Sequence, residues 1–340
     1  MEIDHWKLEI KCFFMWQEGL KLAMAGLMII FDLFGINQAN QLVIDTTTRL
    51  GIEQPYAIND NVENDLTIAT TRSIDVPQLR LATRYPKVID PISQPVVDAQ
   101  AIAIIDAKTA TLLYAKNADE KRAIASVTKL MTALVALDNL KTDSVVVIQP
   151  QDVEIEPTTM NLVVGESITV GDLMKGLLIV SANDAALTLG RLAGDGDLEN
   201  FINKMNEKAK DMGLTNSHFS NPHGLDQDGL FSSAKDMALI AKNAVANPTI
   251  AEIVSTKQTT VTSTDGGISH DLKNTNKLLD SYLNVYGVKT GFTDNAGQVL
   301  ITAATNKDGD KIICVVLGSN DRFQDSKVLI DWTFSNFYWE

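Results

Sequence analysis

The sequence lacks the signatures of several protein classes. It has only two cysteines, Cys12 and Cys314, and no C-x-x-C pair, so neither a disulfide framework nor a thiolate metal site is indicated. Acidic residues outnumber basic ones, 43 to 29, for a net charge of −14. That balance argues against nucleic acid as a partner, because its binding needs a basic surface. The four histidines form no H-E-x-x-H or H-x-H motif, so a catalytic zinc is not indicated.

The N-terminal region has no apolar run of the roughly 20 residues that a membrane-spanning helix needs. Its most apolar stretch, residues 22–36, is interrupted by Asp32 and suits the core of a secretion signal. Three lysines precede this stretch, and Arg49 is the first basic residue after it, which places the N-terminus inside. We expect residues 1–36 to be a signal peptide or an N-terminal membrane anchor, cleaved or retained; the alternative is a core-facing or interfacial helix.

The rest of the chain divides into a linker and a folded domain. Residues 37–95 are polar and weakly periodic, which is typical of a poorly ordered linker. Residues 96–338 begin with strands, continue with helices and end with strands and a closing helix. The predicted fold class is α/β (α+β): an antiparallel sheet, in which early strands pair with late ones, flanked by helices and joined to a helical lobe.

Three short motifs occur in order along this domain: Ser126-Val127-Thr128-Lys129, Ser181-Ala182-Asn183 and Lys289-Thr290-Gly291. The first has a serine and a lysine at i and i+3 at the start of a predicted helix, so both side chains share one face. A serine hydroxyl attacks well only when a base takes its proton. A neutral lysine can do so if burial and a second cation, here Lys289, favour the uncharged amine.

The other two motifs suit proton transfer and substrate binding. We expect the Ser181 hydroxyl to relay a proton between lysine and leaving group, and the Asn183 amide to hold a substrate carbonyl. Lys289 and Thr290 can bind a carboxylate, while Gly291 lets a substrate backbone approach the strand. Taken singly, these residues would instead be helix caps, turn residues and surface lysines.

Acyl transfer also needs N–H donors that stabilise a developing oxyanion. The backbone N–H groups of Ser126 and Phe292 are the candidates.

This set of motifs resembles that of the serine-type D-alanyl-D-alanine carboxypeptidases, the low-molecular-mass penicillin-binding proteins. The likeness covers about residues 98–336 and extends to Asn221-Pro222-His223-Gly224-Leu225-Asp226 and Asn274-Thr275-Asn276-Lys277-Leu278-Leu279. It implies a β-lactamase/transpeptidase-like fold, an acyl-enzyme on Ser126 with Lys129 as base, and assistance from Ser181 and Asn183. Lys289 and Thr290 would bind the terminal carboxylate of D-Ala-D-Ala.

The resemblance also implies the substrates, inhibitors and location. We expect the enzyme to remove the terminal D-Ala from peptidoglycan stem peptides, to be inhibited by β-lactams, and to need no metal or organic cofactor. It would act at the extracytoplasmic face of the membrane, or in the periplasm or cell wall, with membrane contact only through the N-terminal segment.

Three alternatives remain open at this point. A D,D-endopeptidase that cleaves peptidoglycan cross-links shares these motifs. A class A β-lactamase needs an additional glutamate to activate the deacylating water, and no glutamate occurs between Glu207 and Glu252. An inactive peptidoglycan-binding module is disfavoured because every required polar group is present.

Overall fold

The computed structural model describes residues 83–89 and 93–340. The predicted signal or anchor at 1–36 and most of the predicted linker lie outside this described part. No helix in these two ranges is long and apolar enough to cross a membrane.

A five-stranded antiparallel sheet forms the centre of the domain. Its strands are β2 (Ala101–Asp106), β3 (Leu112–Lys116), β8 (Val285–Thr293), β9 (Gly297–Thr305) and β10 (Lys311–Ser319). They lie in the order β3-β2-β10-β9-β8. The first strand, β2, pairs with the last one of the sheet, β10, with Ala101 opposite Leu317. The prediction that early strands pair with late ones is therefore confirmed.

The described residues also form three two-stranded antiparallel ribbons. Their strands are β1 (Pro86–Val88), β4 (Val145–Val147), β5 (Ser167–Thr169), β6 (Gln258–Thr262), β7 (Ser269–Lys273) and β11 (Phe337–Trp339). Strand β1 pairs with β11, β4 with β5, and β6 with β7. Strand β1 falls inside the predicted linker 37–95, so that prediction is wrong for residues 86–88; pairing with the distant β11 orders them.

Seven α-helices belong to the described residues. They are α1 (Lys129–Asn139), α2 (Val170–Lys175), α3 (Asn183–Ala193), α4 (Leu198–Asp211), α5 (Ala234–Ala246), α6 (Pro248–Ser255) and α7 (Arg322–Asn336). Several begin at a side-chain cap, such as Ser233 of α5, which accepts from the Asp236 N–H, and Asp321 of α7. Such caps satisfy backbone N–H groups that lack a partner within the helix.

The central sheet has apolar side chains on both faces, as period-two alternation requires. Ile102 and Ile104 of β2 face one cluster, which includes Leu329 and Ile330 of α7. Residues 101, 103 and 105 face the larger cluster, which holds α1, α3, α4 and α5. This arrangement, a sheet flanked by helices with a helical lobe on one side, confirms the predicted fold class.

Candidate active site

The first motif occupies a tight turn that leads into α1. A 3₁₀ turn spans Ala125–Thr128, and Lys129 begins the α-helix. Ala125 has φ +50, a left-handed backbone that is uncommon for a residue other than glycine and is frequent at functional sites. Ser126 is half-buried, whereas Lys129 is fully buried. Their Nζ and Oγ atoms lie 3.1 Å apart.

The Lys129 amine has three polar neighbours in a fixed arrangement. Its Nζ donates to Asn183 Oδ1 at 2.7 Å and to the His223 carbonyl at 2.5 Å, and Ser126 Oγ is the third neighbour. Because both Asn183 Oδ1 and the carbonyl can only accept, they take two N–H bonds. In a neutral amine, which has two hydrogens, the lone pair is then left for the Ser126 hydroxyl. The geometry is that of a base beside a nucleophile.

The pKa of Lys129 lies well below its usual value. Burial is the main cause, and the neighbouring Lys289 cation lowers the pKa further. Asp184, on the first turn of α3, acts in the opposite direction. The two causes proposed from the sequence, burial and Lys289, are therefore both present. The result is a lysine that loses its proton more readily than one in water.

The second motif connects two helical segments. A π-helical turn over Gly176–Val180 ends at Ser181, which has φ +67, and Asn183 begins α3. Ser181 and Asn183 are both buried, at 5% and 2% exposure. The Asn183 side chain donates from Nδ2 to the Pro157 carbonyl while its Oδ1 accepts from Lys129. Asn183 thus orients the lysine, a contact that the sequence did not reveal.

The third motif lies inside β8, because pairing with β9 continues through Thr293. Strand β8 is an edge of the central sheet. Lys289 is buried and its Nζ donates to the Thr290 carbonyl at 3.0 Å, while the Thr290 and Thr275 hydroxyls lie 2.6 Å apart. Burial, and then the nearby Arg322, lower the pKa of Lys289 to about 7.

Gly291 brings this strand against the nucleophile. A β-carbon on Gly291 would lie 2.9 Å from the Ser126 nitrogen and 2.7 Å from Val299 Cγ2, closer than a side chain tolerates. The absence of a side chain therefore lets β8 approach the turn of the first motif. Phe292, whose N–H is the other oxyanion candidate, is the next residue and has an exposed side chain.

Two further parts of the site lie outside the three motifs and were not predicted from them. Arg322, at the start of α7, donates from Nη1 to the Gly291 carbonyl at 2.6 Å, so a second cation stands beside β8. The turn Pro222–His223 supplies backbone carbonyls to Thr132 Oγ1 and to Lys129. The only signal for this turn was the resemblance of residues 221–226 to a family segment; Arg322 had none.

The His223 imidazole, in the same turn, has its pKa lowered to about 4, chiefly by burial and secondly by Lys129. It is therefore neutral at ordinary pH.

Within residues 83–89 and 93–340, no group of three or more His, Cys, Asp or Glu side chains is arranged to hold a metal ion.

Comparison with known proteins gives the same family throughout. The model of the D-alanyl-D-alanine carboxypeptidase family matches residues 90–321. A D-alanyl-D-alanine carboxypeptidase of Streptomyces sp. (strain K15) is 36% identical over 262 residues, which is 72% of this chain and 90% of that protein. One from Bacillus subtilis is 34% identical over 249 residues, or 71% of this chain. This chain spans 63–64% of the length of the Bacillus subtilis and Escherichia coli relatives that it matches.

Solved structures agree with these sequence matches. The Streptomyces K15 DD-transpeptidase has a TM-score of 0.68 at 34% identity, and covers 72% of this chain and 100% of its own. The D-alanyl-D-alanine carboxypeptidase from Mycobacterium tuberculosis has a TM-score of 0.69 at 30% identity, and covers 73% and 96%.

Proposed function

This chain belongs to the D-alanyl-D-alanine carboxypeptidase family, and we propose that it is a serine D,D-carboxypeptidase that removes the terminal D-Ala from peptidoglycan stem peptides. The supporting observation is the Lys129 amine, which is buried, donates two hydrogen bonds and lies 3.1 Å from Ser126 Oγ. A hydroxyl beside such a base is a nucleophile suited to acyl transfer.

The reaction proceeds in two steps. The Ser126 oxygen attacks the carbonyl of the penultimate D-Ala while its proton passes to Lys129; the C–N bond then breaks, and the leaving amine takes a proton by way of Ser181. Water next attacks the ester and regenerates Ser126. The backbone N–H groups of Ser126 and Phe292 stabilise the oxyanion in both steps.

Substrate orientation follows from the edge position of β8. An extended peptide can add to this edge, with Gly291 allowing close approach. Lys289 and the Thr290 hydroxyl then bind the terminal carboxylate, and the remaining N–H of the Asn183 amide is available to a substrate carbonyl. A β-lactam presents a comparable carboxylate and carbonyl, so we expect it to acylate Ser126 as an inhibitor.

The substrate also sets the location. Stem peptides lie outside the cytoplasmic membrane, so the enzyme acts at the extracytoplasmic face or in the periplasm or cell wall. Residues 1–36 then serve as the export signal or anchor, and are its membrane contact.

The test is to incubate the full chain with a diacetyl-Lys-D-Ala-D-Ala tripeptide and with a labelled penicillin. Free D-alanine, detected by mass, and a label on Ser126 are expected. Ser126→Ala should abolish both, and Lys129→Ala should slow acylation roughly 10²–10⁴-fold because a general base is lost. A Ser126→Ala protein that still releases D-alanine would refute the assignment. Release of peptide fragments from cross-linked dimers, without free D-alanine, would favour the endopeptidase alternative.

A further inference from the structure

A buried acid–base pair lies outside the catalytic residues. The imidazole of His270, on β7, and the carboxylate of Glu166, just before β5, have 3% and 0% of their side chains exposed. His270 Nε2 lies 2.7 Å from Glu166 Oε1, and His270 Nδ1 lies 2.8 Å from the Met160 carbonyl. The proposed reaction uses neither residue.

Both ring nitrogens of the His270 imidazole form hydrogen bonds in these contacts. The Met160 carbonyl can only accept, so Nδ1 carries a hydrogen and donates to it. Nε2 meets the carboxylate, whose other oxygen accepts from the Val163 N–H at 3.1 Å. The pair therefore connects the β6–β7 ribbon to two points, Met160 and Glu166, of the loop that spans residues 157–166, named here the motif-two loop.

The motif-two loop in turn holds Asn183. The Thr158 carbonyl accepts from the Asn183 backbone N–H at 2.8 Å, and the Pro157 carbonyl accepts from Asn183 Nδ2. The Asp184 carboxylate accepts from the Met160 and Leu162 N–H groups, each at 3.1 Å. Any shift of this loop would therefore move the amide whose Oδ1 orients the Lys129 amine.

Two residues of the loop have an uncommon backbone conformation. Thr158 and Asn161 have φ values of +68 and +64, in the left-handed region that residues other than glycine seldom adopt. An open cavity of about 310 Å³ lies between residues 159–161 of the loop and residues 268–271 of the ribbon. The hydrogen bonds of His270 to Met160 and Glu166 join the loop and the ribbon beside this space.

We propose that His270 and Glu166 are positioning residues for acylation: together they hold the motif-two loop so that the Asn183 amide directs the Lys129 lone pair at Ser126. This inference rests on the proposed function, because acylation of Ser126 is the step affected. The two residues do not touch the reacting atoms and act through Asn183.

The test compares substitutions that remove one or both contacts. Glu166→Ala and His270→Ala should lower the second-order rate of Ser126 acylation by labelled penicillin roughly tenfold to hundredfold, as small displacements at a reacting centre do. Glu166→Gln, whose amide can donate to the imidazole Nε2 while its oxygen accepts from the Val163 N–H, should recover most of that rate. His270→Asn keeps a donor near the Nδ1 position and His270→Gln one near Nε2, so each should lose less than His270→Ala.

Two further measurements separate positioning from a general loss of stability. In an Asn183→Ala background, the Glu166 and His270 substitutions should add little, because all act through one contact. Hydrogen exchange at the Asn183 and Leu162 amides should quicken in Glu166→Ala and His270→Ala. Thr260→Ala, which removes an exposed bond to Asp271 on the same ribbon, is the matched control and should change neither readout.

The outcomes are distinct from those of the proposed function. If penicillin does not acylate the native chain, the proposed function fails. Hydrogen exchange at the Asn183 and Leu162 amides would still test whether His270 and Glu166 hold the motif-two loop. The proposal is overturned if His270→Ala keeps the native exchange and acylation rates, or if its loss of rate is undiminished in the Asn183→Ala background. If the alanine variants do not fold, His270→Asn and His270→Gln provide the test. Native exchange and acylation rates in both variants would refute the proposal.

Discussion

At the scale of single residues, the site depends on two buried lysines, each of which has another cation beside it. Lys289 lowers the pKa of Lys129, and Arg322 lowers that of Lys289. A chain of three cations thus favours a neutral amine at the nucleophile.

The pKa of Lys289, at about 7, predicts how substrate binding depends on pH. Below pH 7 the amine of the free enzyme is charged and can bind the terminal carboxylate of the substrate. Above pH 7 the charge is lost, so KM should rise, by up to about tenfold per pH unit for one proton. Steady-state kinetics with the tripeptide from pH 5.5 to 9 would measure this.

Two controls belong to this measurement. A tripeptide whose C-terminal carboxylate is capped as an amide has no charge for Lys289 to bind, so its KM should not follow this titration. Arg322→Gln removes the neighbouring cation and raises the pKa of Lys289, so the rise in KM should begin at a higher pH. A rise that starts at the same pH in Arg322→Gln would contradict the assigned cause.

The sequence predicted which side chains come together at the site better than it predicted what orients them. Ser126, Lys129 and Asn183 were recognisable because their spacing and side chains are specific. The acceptors that fix the Lys129 amine include a backbone carbonyl at His223, and a carbonyl has no signature in the residue type that carries it. Arg322 was missed because only the packing of α7 beside β8 places it there.

At the scale of elements, the meeting of β8 with the turn of the first motif determines the site. The sequence predicted the order of strands, helices, strands and a closing helix, which here is Arg322–Asn336, because amphipathic spacing and caps are local signals. Strand β8 continues past the third motif to Thr293. Strand continuation depends on the partner β9, which a single-strand pattern does not contain.

Gly291→Ala should separate β8 from the nucleophile. The new methyl group would meet the Ser126 nitrogen at 2.9 Å and Val299 Cγ2 at 2.7 Å, so one side has to move. We expect acylation of Ser126 to fall roughly 100-fold and the free energy of unfolding to fall by about 1–3 kcal/mol. Penicillin labelling rates and urea unfolding would measure the two effects.

Gly267→Ala is the matched control for this substitution. Gly267 lies in the exposed β6–β7 turn, and the only atoms near its added methyl group belong to the exposed Asp265 side chain, at 3.3 Å or more. Labelling and stability should both stay at native values. A Gly291→Ala protein with native labelling would show that β8 does not approach Ser126 as described.

At the scale of the whole molecule, burial of the Lys129 and Lys289 amines lowers the stability of the domain. The sheet has an apolar cluster on each face, and this large core supplies the stability of the domain. Lys129 and Lys289 are buried in the same molecule at 0% and 1% exposure. Keeping two amines out of water destabilises the fold, a conflict between stability and activity that is common at active sites.

The effect of burying Lys289 on stability can be measured from the pH dependence of the free energy of unfolding. Its pKa is about 7 in the folded protein and 10.5 in an unfolded chain, so between these values the unfolded state binds more protons. The free energy of unfolding therefore rises with pH across this window, and the penalty is fully present below pH 7. For one group with this shift, the change from pH 7 to 10.5 is roughly 4 kcal/mol.

Lys289→Met, which keeps the length of the side chain without its charge, should consequently yield an inactive but more stable protein at pH 7. Its advantage over the native chain in urea unfolding should shrink as pH rises towards 10.5, because the native amine then becomes neutral in both states. Lys307→Met, at an exposed lysine in the β9–β10 turn, should show little advantage at any pH. An advantage for Lys289→Met that is constant from pH 7 to 10 would mean that lost packing or hydrogen bonding, rather than the buried charge, sets the stability at this position.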